Sequence, residues 1–320
     1  MKKLAISISA LLAIGVVGGA AFFWQAQKGV PARTLEAVYL TPNDRFLAID
    51  GARVRVREEG DPTAPPILLV HGFTHSLETW DAWAEALKPN YRVIRYDLLG
   101  HGLTGPDPKE RYAPHARAAF LGKILEALSL DAAFIAGNSL GGLAAWRFTA
   151  DNNERVAALI LISPGAFALN GVSDKPAEIP AAMKAYLMTA PASGVRASAQ
   201  LIYSDDSAIS DDRLDVMRDM IRREGNGSAL VRSLEQFTLP DPSDALAQIT
   251  TPTLILWGED DILIPIEQGR RIQSAIRDSR LITYPGVGHA AQEEAPGRTV
   301  EDAIDFLENV EAKQANGEDR

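Results

Sequence analysis

Six short apolar runs constrain what this chain can fold into more than any other feature. They are ILLV (67–70), YRVIRYD (91–97), AAFIAG (132–137), VAALILIS (156–163), TPTLILWG (251–258) and RLITYPG (280–286). Runs so uniformly apolar suit strands buried on both faces, as in a parallel sheet. Helical patterns lie between them, near 77–88, 112–129, 140–151, 266–277 and 297–312. That alternation implies an α/β chain: a mostly parallel central sheet flanked by helices, with its site at the carboxyl ends of the strands. Upstream, FLAIDGARVRVREEG (46–60) places Asp50-Gly51 between two extended runs, a strong hairpin signal.

From residue 166 to residue 249 the alternation stops. AAMKAYLM, SAQLIY, RLDVMRDMIRRE and ALVRSLEQF are all helix-like, with Pro, Gly and Asp-Pro between them. An all-helical insertion between two sheet strands is expected to cap the sheet's carboxyl edge. The expected division is a core at 44–165 and 250–312, a helical cap at 166–249 and a polar tail at 313–320. Residues 25–43 read as a stalk in which Pro31 and Pro42 break any helix.

The amino terminus departs from the average. Lys2 and Lys3 precede an uncharged run of 21 residues, Leu4 to Trp24, and about 20 residues suffice to cross a bilayer as a helix. Segment 1–24 is therefore expected to be a membrane anchor or a signal segment, with the membrane as a partner. An anchor with a cytoplasmic amino end would make the protein single-pass in the inner membrane. Its catalytic domain would then lie on the periplasmic or extracellular side. Cleavage near Gly18-Gly19-Ala20 would instead release a secreted or periplasmic protein. The formal net charge of −10 and the lack of a Lys/Arg-rich run give no electrostatic footprint for nucleic acid. The chain has no cysteine, which excludes disulfides, thiolate catalysis and Cys-ligated metal sites.

The chemistry centres on Gly137-Asn138-Ser139-Leu140-Gly141-Gly142, which follows an apolar strand and opens a helix. A nucleophile on a sharp strand-to-helix turn needs small residues two positions before and two after it. A serine hydroxyl also needs a base. Of five histidines, His289 alone lies downstream of Ser139, in VGHAAQEEAP after the last apolar run. A third group must hold the imidazole tautomer, and LILWGEDDILIP offers Glu259, Asp260 and Asp261 at a strand's carboxyl end. The backbone N–H of Leu140, directly after the nucleophile, and that of Phe73, in the loop after ILLV, are the expected oxyanion donors. His71 reads as a buried structural residue. Neither metal-ligand spacing nor a phosphate-binding glycine pattern is present, so no cofactor and no metal is expected.

Taken together, DGARVRVREEGDP, ILLVHGF, YRVIRYDLLGHGLTG, GNSLGG, LWGEDDILIP and GHAAQEEAP make the chain resemble the α/β-hydrolase superfamily, in its form with a helical cap. The resemblance spans about Phe46 to Leu307 and implies a Ser139, Asp261 and His289 triad, with Asp260 as the competing acid. It implies that Asp97 and the turn at Gly100–Gly102 are scaffold. Ser139 stands where related dehalogenases and epoxide hydrolases carry aspartate. The activity expected is that of a serine carboxylesterase or lipase acting on esters of apolar acyl groups, a small-molecule substrate. Phe167, Leu169, Met183, Tyr186, Leu187, Leu201 and Tyr203 are then expected around the acyl group. Two alternatives stand beside it. One is a carbon–carbon bond hydrolase of ring-cleavage diketones, similar in its GNS elbow; the other is an inactive hydrolase-like binding protein.

Overall fold

The structure is a computed structural model that describes residues 28–316 apart from 206 and 208. Eight strands form one sheet: β1 (Asp44–Ile49), β2 (Ala52–Glu59), β3 (Pro66–Val70), β4 (Arg92–Tyr96), β5 (Ala133–Asn138), β6 (Val156–Ile162), β7 (Thr253–Gly258) and β8 (Ser279–Tyr284). Their order is β1-β2-β4-β3-β5-β6-β7-β8. The β1/β2 and β2/β4 pairs are antiparallel, and every later pair is parallel. Each of the six apolar runs supplies one strand from β3 to β8. The β1/β2 hairpin turns at Asp50 and Gly51, both with positive φ (47° and 87°), the pairing a two-residue type I′ turn requires.

The uniform apolarity of the inner strands has a direct structural cause. Ile67 and Leu69 of β3 join a core on one face with Trp80, Trp83 and Leu307. Leu68 and Val70 join a separate core on the other face with Leu121, Ile124 and Trp146. A strand between two helical layers has no face to give to water. The antiparallel end differs. Arg55 on β2 is fully buried among carboxylates: Asp44 at 2.7 Å, Glu78 at 2.8 Å and Asp97 at 3.5 Å.

Helix α1 (Ala32–Tyr39) lies in the segment expected to be a non-helical stalk. Pro31 only flanks its start, where a proline loses no hydrogen bond. Leu35 is buried beside Leu103 and Met220, and the Tyr39 hydroxyl donates to Asp219 at 2.8 Å. The other helices that position the site are α2 (Asp81–Leu87), α3 (Pro114–Ala127) and α4 (Leu140–Asp151). Between β6 and β7 come α5 (Ala181–Thr189), α6 (Ala192–Ile202), α7 (Asp211–Arg222), α8 (Asn226–Glu235) and the short α9 (Ser243–Ala247). They are followed by α10 (Ile266–Ala275), α11 (Ala291–Glu294) and α12 (Pro296–Asn316). The last helix carries residues 313–316, expected in the polar tail, one turn further than composition suggested. The apolar run 4–24 lies outside the described residues. Among those described, no helix is long and apolar enough to cross a membrane.

Candidate active site

Ser139 sits where β5 turns into α4, with φ 52° and ψ −114°. A non-glycine residue is strained there, and such strain persists only where surroundings over-determine it. The surroundings do so through the Ser139 N–H, which donates to the Ile162 carbonyl at 3.0 Å. The Ser139 carbonyl accepts from Leu143 at 2.9 Å and from Gly165 at 3.2 Å. The flanking glycines are required by close approach. A Cβ on Gly137 would lie 2.7 Å from the Gly141 backbone, and one on Gly141 would run into the Val70 carbonyl. Leu140 is the first residue of α4, so its N–H has no acceptor within the helix, and the helix's positive end faces the serine.

The loop after β3 carries Phe73. His71 is fully buried; its Nε2 accepts from the Leu98 N–H at 2.9 Å, which leaves Nδ1–H to donate to the Gly72 carbonyl at 2.8 Å. Burial pushes this imidazole down to about 3, so it stays neutral. Its hydrogen bond fixes the Gly72–Phe73 peptide plane, and a trans peptide points the Phe73 N–H away from that carbonyl. Thr74, next in the loop, has φ 60°, a genuine outlier for a β-branched residue. Asp97 accepts from the Leu77 N–H at 2.8 Å and the Leu103 N–H at 2.7 Å. It thereby ties the start of the turn before α2 to the Gly100–Gly102 turn.

His289 and Asp261 come from the loops after β8 and β7. Nδ1 of His289 lies 2.8 Å from Oδ2 of Asp261, and both residues are 6% exposed. The other oxygen, Oδ1, accepts from the N–H groups of Leu263 and Ile264, each at 2.9 Å. A carboxylate held at both oxygens keeps the proton on Nδ1 and leaves Nε2 as the acceptor. Of the three neighbouring acids only Asp261 reaches the imidazole. Asp260 is exposed, and Glu259 accepts instead from the Thr283 hydroxyl at 2.7 Å.

Ser139, His289, Phe73 and Leu140 all line one cavity of about 440 Å³, with Asp261 behind His289. Its walls are apolar, among them Phe167, Leu169, Val172, Met183, Phe237 and Leu239, and Glu178 is the only acidic or basic lining residue besides His289 among the described residues. A second cavity of about 200 Å³ shares Ser139 and His289 and adds Thr74, His75, Tyr186 and Ser198. Leu187 and Leu201 also line this smaller space. Tyr203 lines neither cavity. It follows the end of α6 and packs inward with Leu214 and Met217, which the sequence could not distinguish from a lining position. His75 is buried, and burial pushes it down to about 4.

Residues 293 and 294, left unassigned within GHAAQEEAP, turn out to hold the histidine loop against the insertion. Glu293 accepts from Arg213 of α7 at 2.5 and 3.0 Å. Glu294 accepts from the Gly288 N–H at 2.7 Å and the Ser204 N–H at 3.0 Å. Taken as chemistry, a hydroxyl, an imidazole with a fixed tautomer and two backbone N–H groups on residues lining the same cavity suit acyl transfer through a tetrahedral intermediate.

A profile of the α/β-hydrolase fold matches residues 65–296. The chain belongs to the α/β-hydrolase family. It is 25% identical over 287 residues to a 2-hydroxy-6-oxononadienedioate/2-hydroxy-6-oxononatrienedioate hydrolase of Cupriavidus pinatubonensis, covering 86% of this chain and 99% of that protein. It is 26% identical over 279 residues to a 2-hydroxy-6-oxo-6-phenylhexa-2,4-dienoate hydrolase of Burkholderia cepacia, covering 85% of this chain and 96% of the relative. Among solved structures, a membrane phospholipase A shares the fold alone, with a TM-score of 0.72 and 20% identity over 97% of this chain and 99% of that one.

These relatives correct two expectations. The protein is a hydrolase, but the curated relatives are carbon–carbon bond hydrolases. Carboxylic-ester hydrolysis therefore gives way to the carbon–carbon alternative. The relatives do not support the membrane as a partner, nor the inner-membrane, single-pass or exported placement. Among the described residues no helix can cross a membrane. The relatives matched over nearly their full length are named for small-molecule hydrolysis.

Proposed function

We propose that the protein hydrolyses a carbon–carbon bond in a vinylogous diketone of the 2-hydroxy-6-oxo-dienoate kind, with Ser139 as nucleophile. One observation carries this reading: relatives matched over 96% and 99% of their own length are named for such substrates. The Asp261–His289 pair, which opens with Ser139 onto one apolar cavity, is consistent with it. The reaction begins from the keto tautomer, in which the carbon next to the C6 carbonyl is a CH2 group. Nε2 of His289 takes the hydroxyl proton as Ser139 Oγ attacks C6. The Leu140 and Phe73 N–H groups receive the oxyanion. Collapse breaks the C5–C6 bond. Its electron pair delocalises through the adjacent double bond into the C2 carbonyl, and His289 returns a proton to the departing fragment. Water, deprotonated by His289, then attacks the acyl-serine and releases the carboxylic acid. Asp261 holds the imidazolium throughout.

The lining selects among such substrates. An uncharged apolar group on C6 suits a cavity of Phe, Leu, Val and Met side chains, whereas a second carboxylate there would meet Glu178 and, among the described residues, no Lys or Arg. A phenyl-bearing substrate should therefore exceed a dienedioate. The test is kcat/KM for 2-hydroxy-6-oxo-6-phenylhexa-2,4-dienoate, for 2-hydroxy-6-oxononadienedioate and for p-nitrophenyl butyrate. The expected order is the one just written. An ester turned over faster than both diketones overturns the reading.

A further inference from the structure

The serine and the histidine are held by different means, and the difference singles out one carboxylate. Oε2 of Glu294 accepts from the Gly288 N–H, the residue directly before His289, at 2.7 Å. Oε1 of the same carboxylate accepts from the backbone N–H groups of Ser204 and Asp205 at 3.0 and 3.1 Å, and from the Ser204 hydroxyl. Those two residues follow the end of α6, in the insertion between β6 and β7. The Gly286 carbonyl lies 2.7 Å from the Ser204 hydroxyl and shares its one proton with that carboxylate oxygen. The His289 N–H itself donates to the Ile202 carbonyl, the last residue of α6, at 2.7 Å. One side chain from α11 thus joins the histidine loop to the insertion.

We propose that Glu294 is a positioning residue for His289: its carboxylate holds the histidine loop only while the 202–205 segment is seated on it, so the insertion sets the geometry of the base. The physical argument rests on valence. A carboxylate accepts several bonds at two oxygens, and here it is shared between two segments that have no covalent link nearby. Charge-assisted bonds of this type are roughly twice as strong as neutral ones. Without Glu294 the backbone on which the imidazole rides is held less tightly, by bonds such as those from the His289 N–H to the Ile202 carbonyl and from Asn138 Nδ2 to the His289 carbonyl. The inference rests on reading Ser139 as nucleophile and His289 as base.

The experiment is the rate of Ser139 labelling by a fluorophosphonate, in the full chain, for wild type, Glu294→Gln and Glu294→Ala. Saturation kinetics separate the probe's binding constant from the rate of the bond-forming step. Misplacing a base by about 1 Å costs on the order of 100-fold. Glu294→Ala is expected to slow the bond-forming step on the order of 10- to 100-fold with the binding constant little changed, and with circular dichroism as in wild type. Glu294→Gln keeps the shape and one acceptor and should fall between. It carries the test alone if the alanine variant does not fold. Wild-type rates in the folded variants overturn the proposal, as does a change confined to the binding constant. A wild-type protein that takes no label at Ser139 overturns instead the reading beneath it.

Discussion

The two loops that meet at the site are built in opposite ways. The serine turn is fixed chiefly by close backbone approach: Gly137 meets Gly141 within the turn, Gly141 meets the Val70 carbonyl, and Ser139 occupies φ 52° between them. The histidine loop has one such close approach, Gly288 against the Ile202 carbonyl, and relies more on hydrogen bonds from distant residues. His289 is placed by Asp261, 28 residues earlier, by Ile202 from the insertion and by Glu294. A site can therefore carry one member fixed by steric exclusion and another fixed by long-range hydrogen bonds. The first kind tolerates almost no substitution, while the second is graded.

Substitutions should reproduce that contrast, and the largest effect belongs to the nucleophile. Ser139→Ala should lower kcat by about 10⁴- to 10⁶-fold on the diketone while leaving the fold intact by circular dichroism. Retained turnover would break the comparison at its root. Next comes the acid. Asp261→Asn should cost about 10⁴-fold in kcat through the wrong tautomer, whereas Asp260→Asn, on an exposed side chain, should change kcat by less than about twofold. Equal losses in the two variants would mean that the carboxylate bonded to His289 in the structure is not the one that orients it.

The elbow should fail in stability rather than in rate. Gly141→Ala forces a methyl into the Val70 carbonyl and should cost about 1–3 kcal/mol or more, read as a lowered urea midpoint. A neutral result would show that the turn can relax.

The last prediction concerns pH. Burial holds His71 at about 3 and His75 at about 4, and it lowers His101 well below the ordinary 6.5. The unfolded chain takes protons near pH 6.5 that the folded one refuses. Stability present above about 6.5 is therefore lost as pH falls towards 4, by roughly 1.4 kcal/mol per unit for each group. Asp97, raised by burial to about 6 from 3.8, partly offsets this between those two values. The melting temperature should thus be lower at pH 5 than at pH 7.5. A higher value at pH 5 would show that the buried carboxylates dominate.

Much of this was legible in the sequence because its causes are local. Uniform apolar strands, the Asp50-Gly51 hairpin and the glycine pattern around Ser139 each follow from sterics or burial within a few residues. The choice of Asp261 over Asp260 came from resemblance, and the geometry at 2.8 Å gives it a physical basis. What stayed hidden is non-local. Glu294 reads as one acid in an acidic stretch until Ser204 is folded against it. Tyr203 reads as a pocket residue until the end of α6 turns it inward. Helix α1 was missed because the two prolines lie at its borders, where they do not break it. The chemistry was misjudged for a different reason. Ester and carbon–carbon hydrolysis use the same nucleophile, base and oxyanion donors, so neither motif nor triad separates them.

The most direct test of the account is to trap its covalent intermediate. Wild-type protein mixed with 2-hydroxy-6-oxo-6-phenylhexa-2,4-dienoate and quenched in acid within the first turnover should carry a benzoyl group on the peptide containing Ser139. The five-carbon dienol product should appear no later than benzoate, and Ser139→Ala should yield neither adduct nor product. Dienol and benzoate formed together without an adduct, at a rate that survives in Ser139→Ala, would contradict it.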